Sequence, residues 1–288
     1  MKEERLPQFT LDDSEFQFVC RFVYDETGIV LDERKREMTY RRLMRRTREL
    51  KIPSFSAYCK LLKSGDKNEK HKFINAITTN LTSFFREKHH FDYLENQYLK
   101  NLMEENKENR LRIWSAGCST GEEAYSIAIT LLQTFSSRTR DWDIKILATD
   151  LDTDVLNKGK KGVYPYEKIS DLPDSIKKKW FYKSKEKTSD NVKMRQELID
   201  LITFKQLNLL DEWPIKGPFD VIFCRNVMIY FDKETQNHLI SRYHRLLKPN
   251  GLLIIGHSES IGQQKNNFDS LGKTIFRKTS TLKAEAQA

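Results

Sequence analysis

From Leu111 to Arg277 short apolar segments alternate with helical patterns, and that alternation restricts this part of the chain to a mainly parallel sheet with helices on both faces. Strands are expected at Leu111 to Ala116, Ile144 to Thr149, Leu201 to Leu207, Phe219 to Cys224 and Leu252 to Gly256, with another near Thr274 to Arg277. Helices are expected at Glu122 to Phe135, Leu151 to Lys158 and Lys233 to Leu247. Such sheets bind ligands outside the carboxyl ends of their strands. The residues there are Gly117, Asp150, Asn208, Arg225 and Asn226, a polar and varied set. The interval from Val163 to Glu197 is too long for a plain connection and predicts a small inserted subdomain at 163–200 with a short antiparallel sheet.

The first strand runs into a turn with two glycines four apart, Gly117 and Gly121, and then into a helix. Glycine lacks the Cβ that blocks positive φ angles and close approach of a ligand, and a helix start adds unpaired N–H groups. Taken alone the spacing is weak, since many such turns carry two glycines. Asp150 adds to it: a carboxylate after the second strand can accept hydrogen bonds from both hydroxyls of a ribose. The alternative is a helix N-cap, because Asp150-Leu151-Asp152-Thr153 also opens a helix. The turn departs from G-x-G-x-x-G, and no phosphate-binding G-x-x-x-x-G-K-[ST] loop occurs. A ribose acceptor without a phosphate cradle points to S-adenosylmethionine rather than to NAD or ATP.

The first 75 or so residues read as helices. Asp12 with Glu15 signals a cap, Phe16, Val19, Cys20 and Val23 recur at helical spacing, and Gly28 supplies a stop. A second helix is expected from about Asp32 to Leu50, and Pro53 opens a third that Gly65 ends. The net charge is +9, and the segment from Arg34 to Lys51, with nine basic and two acidic residues, carries +7 of it. On a helix Arg34, Arg41, Arg45 and Arg48 form one stripe flanked by Lys35, Arg42 and Arg46, while Tyr40, Leu43, Met44 and Leu50 gather opposite. A charge run is usually a solvated face. Here the arginines have few acidic neighbours on the same helix and repel one another, which favours one acidic partner surface over a chain-long polyanion.

The segment from Phe73 to Glu87 changes from a helical pattern to polar Thr and Asn residues and then to the pair Phe84-Phe85, followed by Arg86. Paired aromatics predict a packed connection between domains, placed at 79–90, with Asn80, Thr82 and Arg86 available as ligands. A helix from about Phe91 to Glu105 leads to the first strand, and the polar tail at 279–288 is expected to be disordered. Cys20, Cys59, Cys118 and Cys224 include no C-x-x-C pair, so neither a zinc site nor a disulfide framework is expected. The six histidines show no metal-ligand spacing with an acidic companion, and no metal is expected. Without an apolar run of roughly 18 residues or a signal-peptide core, the chain is placed in the cytoplasm, with no membrane insertion.

Four stretches carry a resemblance: Thr79 to Glu87, Trp114 to Glu123, Ala148 to Asp152, and Phe223 to Phe231. With Gly256 to Ser260 they resemble, in the same order and over nearly the whole chain, the bacterial chemotaxis receptor methyltransferases, the CheR family. The resemblance implies a small all-helical N-terminal domain at 1–78, then a Rossmann-like α/β methyltransferase domain at 91–278. It implies transfer of a methyl group from S-adenosylmethionine to glutamate side chains on chemoreceptor cytoplasmic helices, leaving S-adenosylhomocysteine and a γ-methyl ester. It further implies that Asn80, Thr82 and Arg86 contact the cofactor beside Gly117, and that Glu123 and Asp150 hold its polar groups. Asn208 and Leu209 flank its adenine, and Arg225 and Asn226 close the site. Glu122 and Glu123 cannot be told apart from sequence. Arg86 and Tyr230 are the positions it suggests for guiding the reaction, Arg86 by pairing with the carboxylate of either substrate or cofactor. The partner is then a methyl-accepting receptor with glutamate-rich helices, docked by Arg41, Arg42, Arg45, Arg46 and Arg48, and the enzyme is expected to act as a monomer.

Some family members bind a receptor-tethering pentapeptide through a Gly-x-Gly turn in the inserted subdomain. Lys183 to Asn191 has no glycine, so independence from the tether is expected. A nucleic-acid methyltransferase is the strongest rival. It is disfavoured because Cys224-Arg225-Asn226-Val227 matches neither the motif that holds a flipped adenine nor the Pro-Cys nucleophile. A non-catalytic S-adenosylmethionine-binding signalling adaptor is the other alternative, disfavoured by intact Arg86, Asp150 and Tyr230.

Overall fold

A computed structural model of the protein describes residues 10–105, 108–183 and 190–279. The tail after Thr279 and residues 184–189, on which the tether expectation rests, lie outside the described residues. The chain divides into two units. One takes in the residues up to Thr79 together with Tyr230–Asp232, and the other holds the rest.

The first unit is four helices: α1 (Asp13–Thr27), α2 (Arg36–Glu49), α3 (Phe55–Lys63) and α4 (Lys67–Ile77). The Asp12 carboxylate accepts the Glu15 N–H at 2.8 Å and Glu15 returns the bond to the Asp12 N–H at 3.1 Å. Gly28, at φ +69°, ends α1 in the left-handed conformation that glycine adopts without strain. Along α2 the buried residues are Thr39, Leu43, Met44 and Thr47, so the buried face points the way the sequence predicts, but two threonines fill it beside Leu43 and Met44 while Tyr40 and Leu50 are only half-buried. A single 3-10 turn, Glu33–Lys35, precedes it, which removes Arg34 from the helix proper. Ser54, rather than Pro53, caps α3.

The arginines of α2 divide into two groups. Arg46 turns inward to Glu69, itself buried at 4% exposure and also held by the Tyr58 hydroxyl at 2.6 Å. Arg42 donates to the carbonyls of Ile77 and Thr78 and to Thr79 Oγ1, closing the carbonyl end of α4. Both guanidiniums are therefore used within the unit. Arg41, Arg45 and Arg48 stay exposed, but Arg41 pairs with Glu37 at 2.8 Å and Arg45 with Glu49 at 3.3 Å. The face is thus partly neutralised along its own helix, more than the residue count suggested. Arg48 makes no ion pair among the described residues.

The second unit opens with α5 (His89–Tyr93), continued through one π-helical stretch into α6 (Leu99–Glu105). Its seven-stranded sheet has the order β6-β2-β1-β7-β8-β10-β9. The strands are β1 (Arg110–Ala116), β2 (Asp143–Asp150), β6 (Ile202–Gln206), β7 (Phe219–Cys224), β8 (Leu247–Ile255), β9 (Phe268–Ser270) and β10 (Ile275–Lys278). Strands β6, β2, β1, β7 and β8 run parallel, while β10 is antiparallel to β8 and to β9. All six expected strands are present. β8 begins earlier than expected because Leu247 pairs with Phe219 before an irregularity in the ladder, and β9, only three residues long, is too short to show alternation in sequence.

Helices α7 (Glu122–Phe135), α8 (Thr153–Lys161) and α11 (Lys233–Leu246) cover the sheet, with two short ones, α9 (Asp174–Trp180) and α10 (Gln196–Ile199), in the insertion. The insertion also forms the expected small antiparallel sheet of β3 (Val163–Pro165), β5 (Asn191–Met194) and β4 (Phe181–Lys183). Phe84 packs edge-on against Tyr164 and Phe181 of this sheet, and Phe85 against Phe91, so the paired aromatics anchor residues 80–88 to the second unit. The four cysteines are free. No helix among the described residues is long and apolar enough to cross a membrane.

Candidate functional site

The carboxyl ends of β1 and β2 are tied together by the glycine turn. The N–H groups of Gly117 and Cys118 both donate to the Thr149 carbonyl, at 2.8 and 2.9 Å. Ser119, at φ +50°, then aims its N–H at Asp150 Oδ2, 2.7 Å away, and its hydroxyl donates to the Asn80 carbonyl at 3.0 Å. Gly117 sits at φ +84°, and a Cβ there would lie 2.3 Å from Val227 Cγ2. A side chain is thus excluded twice, by conformation and by space. We expect Gly117→Ala to destabilise the fold by about 2–4 kcal/mol, read as a fall in Tm of roughly 5–10 °C by calorimetry.

Asp150 is not the cap of α8. That role belongs to Asp152, whose Oδ1 accepts the N–H groups of Asp154 and Val155 at 2.8 and 3.2 Å, while its Oδ2 accepts the Asn80 amide at 2.8 Å. The capping alternative for Asp150 therefore falls away. Its two oxygens take one backbone N–H each, from Ser119 and from Asp152. Burial pushes the Asp150 carboxyl up to about 6, against the opposing pull of those N–H groups.

Glu122 and Glu123, indistinguishable in sequence, have different surroundings. Glu123 accepts the Ser115 hydroxyl at 2.7 Å and pairs with Arg225 at 3.0 Å, and burial raises its pKa. Glu122 accepts the Thr120 hydroxyl at 2.5 Å and lies 3.6 Å from the Lys168 ammonium. The Arg225 side chain, 2% exposed, lies between Glu123 and Glu87, 3.2 Å from the latter, and donates to the Arg86 carbonyl. It braces the site from within. The Arg86 guanidinium donates to the Leu81 carbonyl at 2.9 Å and forms no ion pair among the described residues.

Asn208, two residues past β6, turns its amide oxygen to the Leu210 N–H at 3.1 Å, and Leu209 behind it is buried. Asn226, at φ +58°, follows β7. Thr82 is half-buried on the 80–88 segment, and its carbonyl accepts Lys168 at 3.3 Å. Tyr230 is half-buried and falls in the first unit, where its carbonyl accepts the Val30 N–H at 2.8 Å and Lys35 lies 5.5 Å from its ring centre.

Sequence reasoning missed Ser119, Asp152, Glu87 and Glu259. The reading that no histidines stand at ligand spacing with an acidic companion is corrected as well: ligand atoms of Glu87, His89 and His90 lie within 4.8 Å of one another. Buried His90 bonds the Lys273 carbonyl through Nε2 at 2.8 Å and turns Nδ1 toward Glu87 Oε2 at 3.5 Å. Burial and the nearby Arg225 lower the His90 pKa to about 4, so it is neutral at pH 7. That same Glu87 oxygen faces Arg225, which already supplies a positive charge to the cluster. Burial works to raise the Glu87 carboxyl, but His257 at 2.8 Å and Arg225 outweigh it and hold it down to about 2.

A parallel sheet with an antiparallel edge, a glycine turn after β1 and a half-buried acid after β2 make up a Rossmann-like α/β domain whose polar strand ends lie together, and the family models give that domain its class, a methyltransferase. Two family models match the chain: CheR methyltransferase, all-alpha domain, over residues 14–78, and CheR methyltransferase, SAM binding domain, over residues 80–277. The chemotaxis protein methyltransferase of Escherichia coli K12 is 41% identical over 271 residues, 93% of this chain and 92% of that one. Chemotaxis protein methyltransferase 2 of Pseudomonas aeruginosa is 43% identical over 270 residues, 93% and 94% of the two chains. The Klebsiella aerogenes chemotaxis protein methyltransferase is 43% identical over 275 residues, 95% and 91% of the two chains. The chain belongs to the CheR methyltransferase family, and S-adenosylmethionine is its cofactor. The residues present suit that molecule, because the carboxylate beside the turn, Asp150, takes one backbone N–H on each oxygen and so keeps acceptor capacity for hydroxyls, and the turn is no phosphate cradle.

Proposed function

We propose that this enzyme methylates glutamate side chains on the cytoplasmic helices of chemotaxis receptors, forming γ-methyl esters. The observation that carries the reading is that a chain of this family has both the Asp150 and glycine-turn wall and an arginine, Arg86, without an ion pair among the described residues. In this reading Asp150 accepts the ribose hydroxyls. Asn208 and Leu209 flank the adenine, and Asn80, Thr82, Glu123 and Asn226 complete the walls. Arg225 acts from behind, on Glu123 and the Arg86 backbone. Bound S-adenosylmethionine supplies a methyl group on a sulfonium, already activated for transfer.

The protein's own task is then small. A glutamate carboxylate, with a reference pKa near 4.3, is ionised at neutral pH, so no general base is needed. It has to be aligned and stripped of water. Arg86 orients a carboxylate by charge-assisted hydrogen bonds, and Tyr230 is the other residue assigned to guiding the reaction. The reading is tested with tritiated S-adenosylmethionine and receptor cytoplasmic fragments, scored by base-labile methanol release. Label on nucleic acid, or label that resists base, would refute it.

Docking is assigned to the exposed residues Arg41, Arg45 and Arg48 of α2, with Arg42 and Arg46 left to their internal roles. Their partner is a helix rich in glutamate, held by charge attraction. Replacing all three by alanine is expected to raise the KM for receptor ~10-fold or more at low salt, with the affinity for S-adenosylhomocysteine unchanged. An equal loss of cofactor affinity would make the face structural. We also propose that the enzyme acts as a monomer and without the receptor tether.

A further inference from the structure

We infer that Glu259 is a positioning residue of the methyl-donor site: its carboxylate clamps the turn after β7 to the end of β8 and so sets the wall that Asn226 and Val227 present to the glycine turn. This rests on the assignment of that wall to the cofactor. Glu259 is 9% exposed. Its Oε1 accepts the N–H groups of Val227 and Ile229 at 3.0 and 3.3 Å, and its Oε2 those of Gly256 and Asn226 at 2.6 and 3.0 Å. No cation pairs with it among the described residues, so four backbone donors, two on each oxygen, do all the compensating. Burial still raises its pKa.

An apolar residue would fill this place at lower cost if packing were the only need. What the carboxylate adds is a link between two strand ends beyond their last paired residues, Cys224 and Ile255. Asn226 is held there in a left-handed conformation, φ +58°. Gly256 leaves the room, since a Cβ on it would stand 2.5 Å from Asn226 Nδ2 and 2.9 Å from Glu259 Oε2. The next residue, Val227, is the one whose side chain lies over Gly117. Two contacts thus lead from Glu259 to the turn.

Glu259→Gln keeps size and shape, but its amide turns two N–H···O bonds into donor facing donor. By calorimetry its Kd for S-adenosylhomocysteine should rise ~10-fold or more, with a matching rise in KM for S-adenosylmethionine and no change in KM for the receptor fragment. The control is Asp220→Asn. Asp220 is a buried carboxylate at the opposite end of β7, bonded to the Arg112 N–H at 2.7 Å and paired with Lys248 at 2.8 Å. It should lose thermal stability while retaining wild-type affinity. Wild-type affinity in Glu259→Gln overturns the inference, as does an equal affinity loss in Asp220→Asn. If Glu259→Gln does not fold, Val227→Ala decides: weaker binding supports the clamp and unchanged binding overturns it. Failure of the wild-type protein to bind S-adenosylhomocysteine, or undiminished binding by Asp150→Ala, would instead count against the assignment of the wall.

Discussion

Asp150→Ala should raise the Kd for S-adenosylhomocysteine by ~10²–10⁴-fold, measured by calorimetry, because hydrogen bonds to an ionised acceptor contribute about 1.5–3 kcal/mol each and, in the proposed ribose role, two hydroxyls lose theirs. The geometry makes the loss specific. Each oxygen of Asp150 has one backbone N–H, from Ser119 at 2.7 Å or from Asp152 at 3.0 Å, and keeps a lone pair for a hydroxyl. Those two bonds fix the carboxylate before any ligand arrives. The raised pKa, about 6, adds a pH signature. For the unliganded fold the sign is that of an acid favoured in its neutral form. Its contribution to stability is fully present below the ordinary value of 3.8 and is lost as pH rises through about 6. Cofactor binding runs the other way, since it draws on the ionised form. Wild-type affinity is expected to weaken ~10-fold between pH 7.5 and pH 5, with a flat profile in Asp150→Ala. A flat wild-type profile would remove Asp150 from the ribose.

The strands of the main sheet are legible in sequence because burial on both faces demands near-continuous apolar runs bounded by turns, as in Phe219–Cys224, where every residue is buried and only Asp220 is polar. Helix α1 is legible because its cap is local, Asp12 to Glu15. What could not be read depends on partners far along the chain. Arg42 and Arg46 look like members of one basic face until α4 brings Glu69 and its own last carbonyls to them. Glu123 and Arg225 look like two separate site residues, and Glu87 like none, until the fold joins the three into one buried charge cluster. Glu259 lies in a polar loop with nothing in its spacing to mark it. Its role exists only where four N–H groups converge. The division between Asp150 and Asp152 follows the same logic, because either could cap α8 until Ser119, held at positive φ, turns its N–H to one of them.

Arg86→Ala should lower kcat/KM ~10³-fold with receptor fragment while raising the Kd for S-adenosylhomocysteine only ~10-fold, a difference of about 2.7 kcal/mol that belongs to the reacting carboxylate rather than to cofactor binding. The asymmetry follows from what holds the residue. Its backbone carbonyl is gripped by Arg225 and its guanidinium by one bond to Leu81, at 2.9 Å, so among the described residues most of its five donors are uncommitted. Preorganised donors that need no rearrangement during reaction contribute more to the transition state than to ground-state binding. Arg86→Lys keeps the charge but not the planar fork, and should recover most of the cofactor affinity while regaining only part of the turnover. Because Arg225 places the Arg86 backbone through a side chain that is itself buried, Arg225→Lys should reproduce the turnover loss in milder form, with Arg86 intact. Equal losses in kcat/KM and cofactor affinity for Arg86→Ala would confine Arg86 to the cofactor's own carboxylate and leave orientation of the substrate to Tyr230.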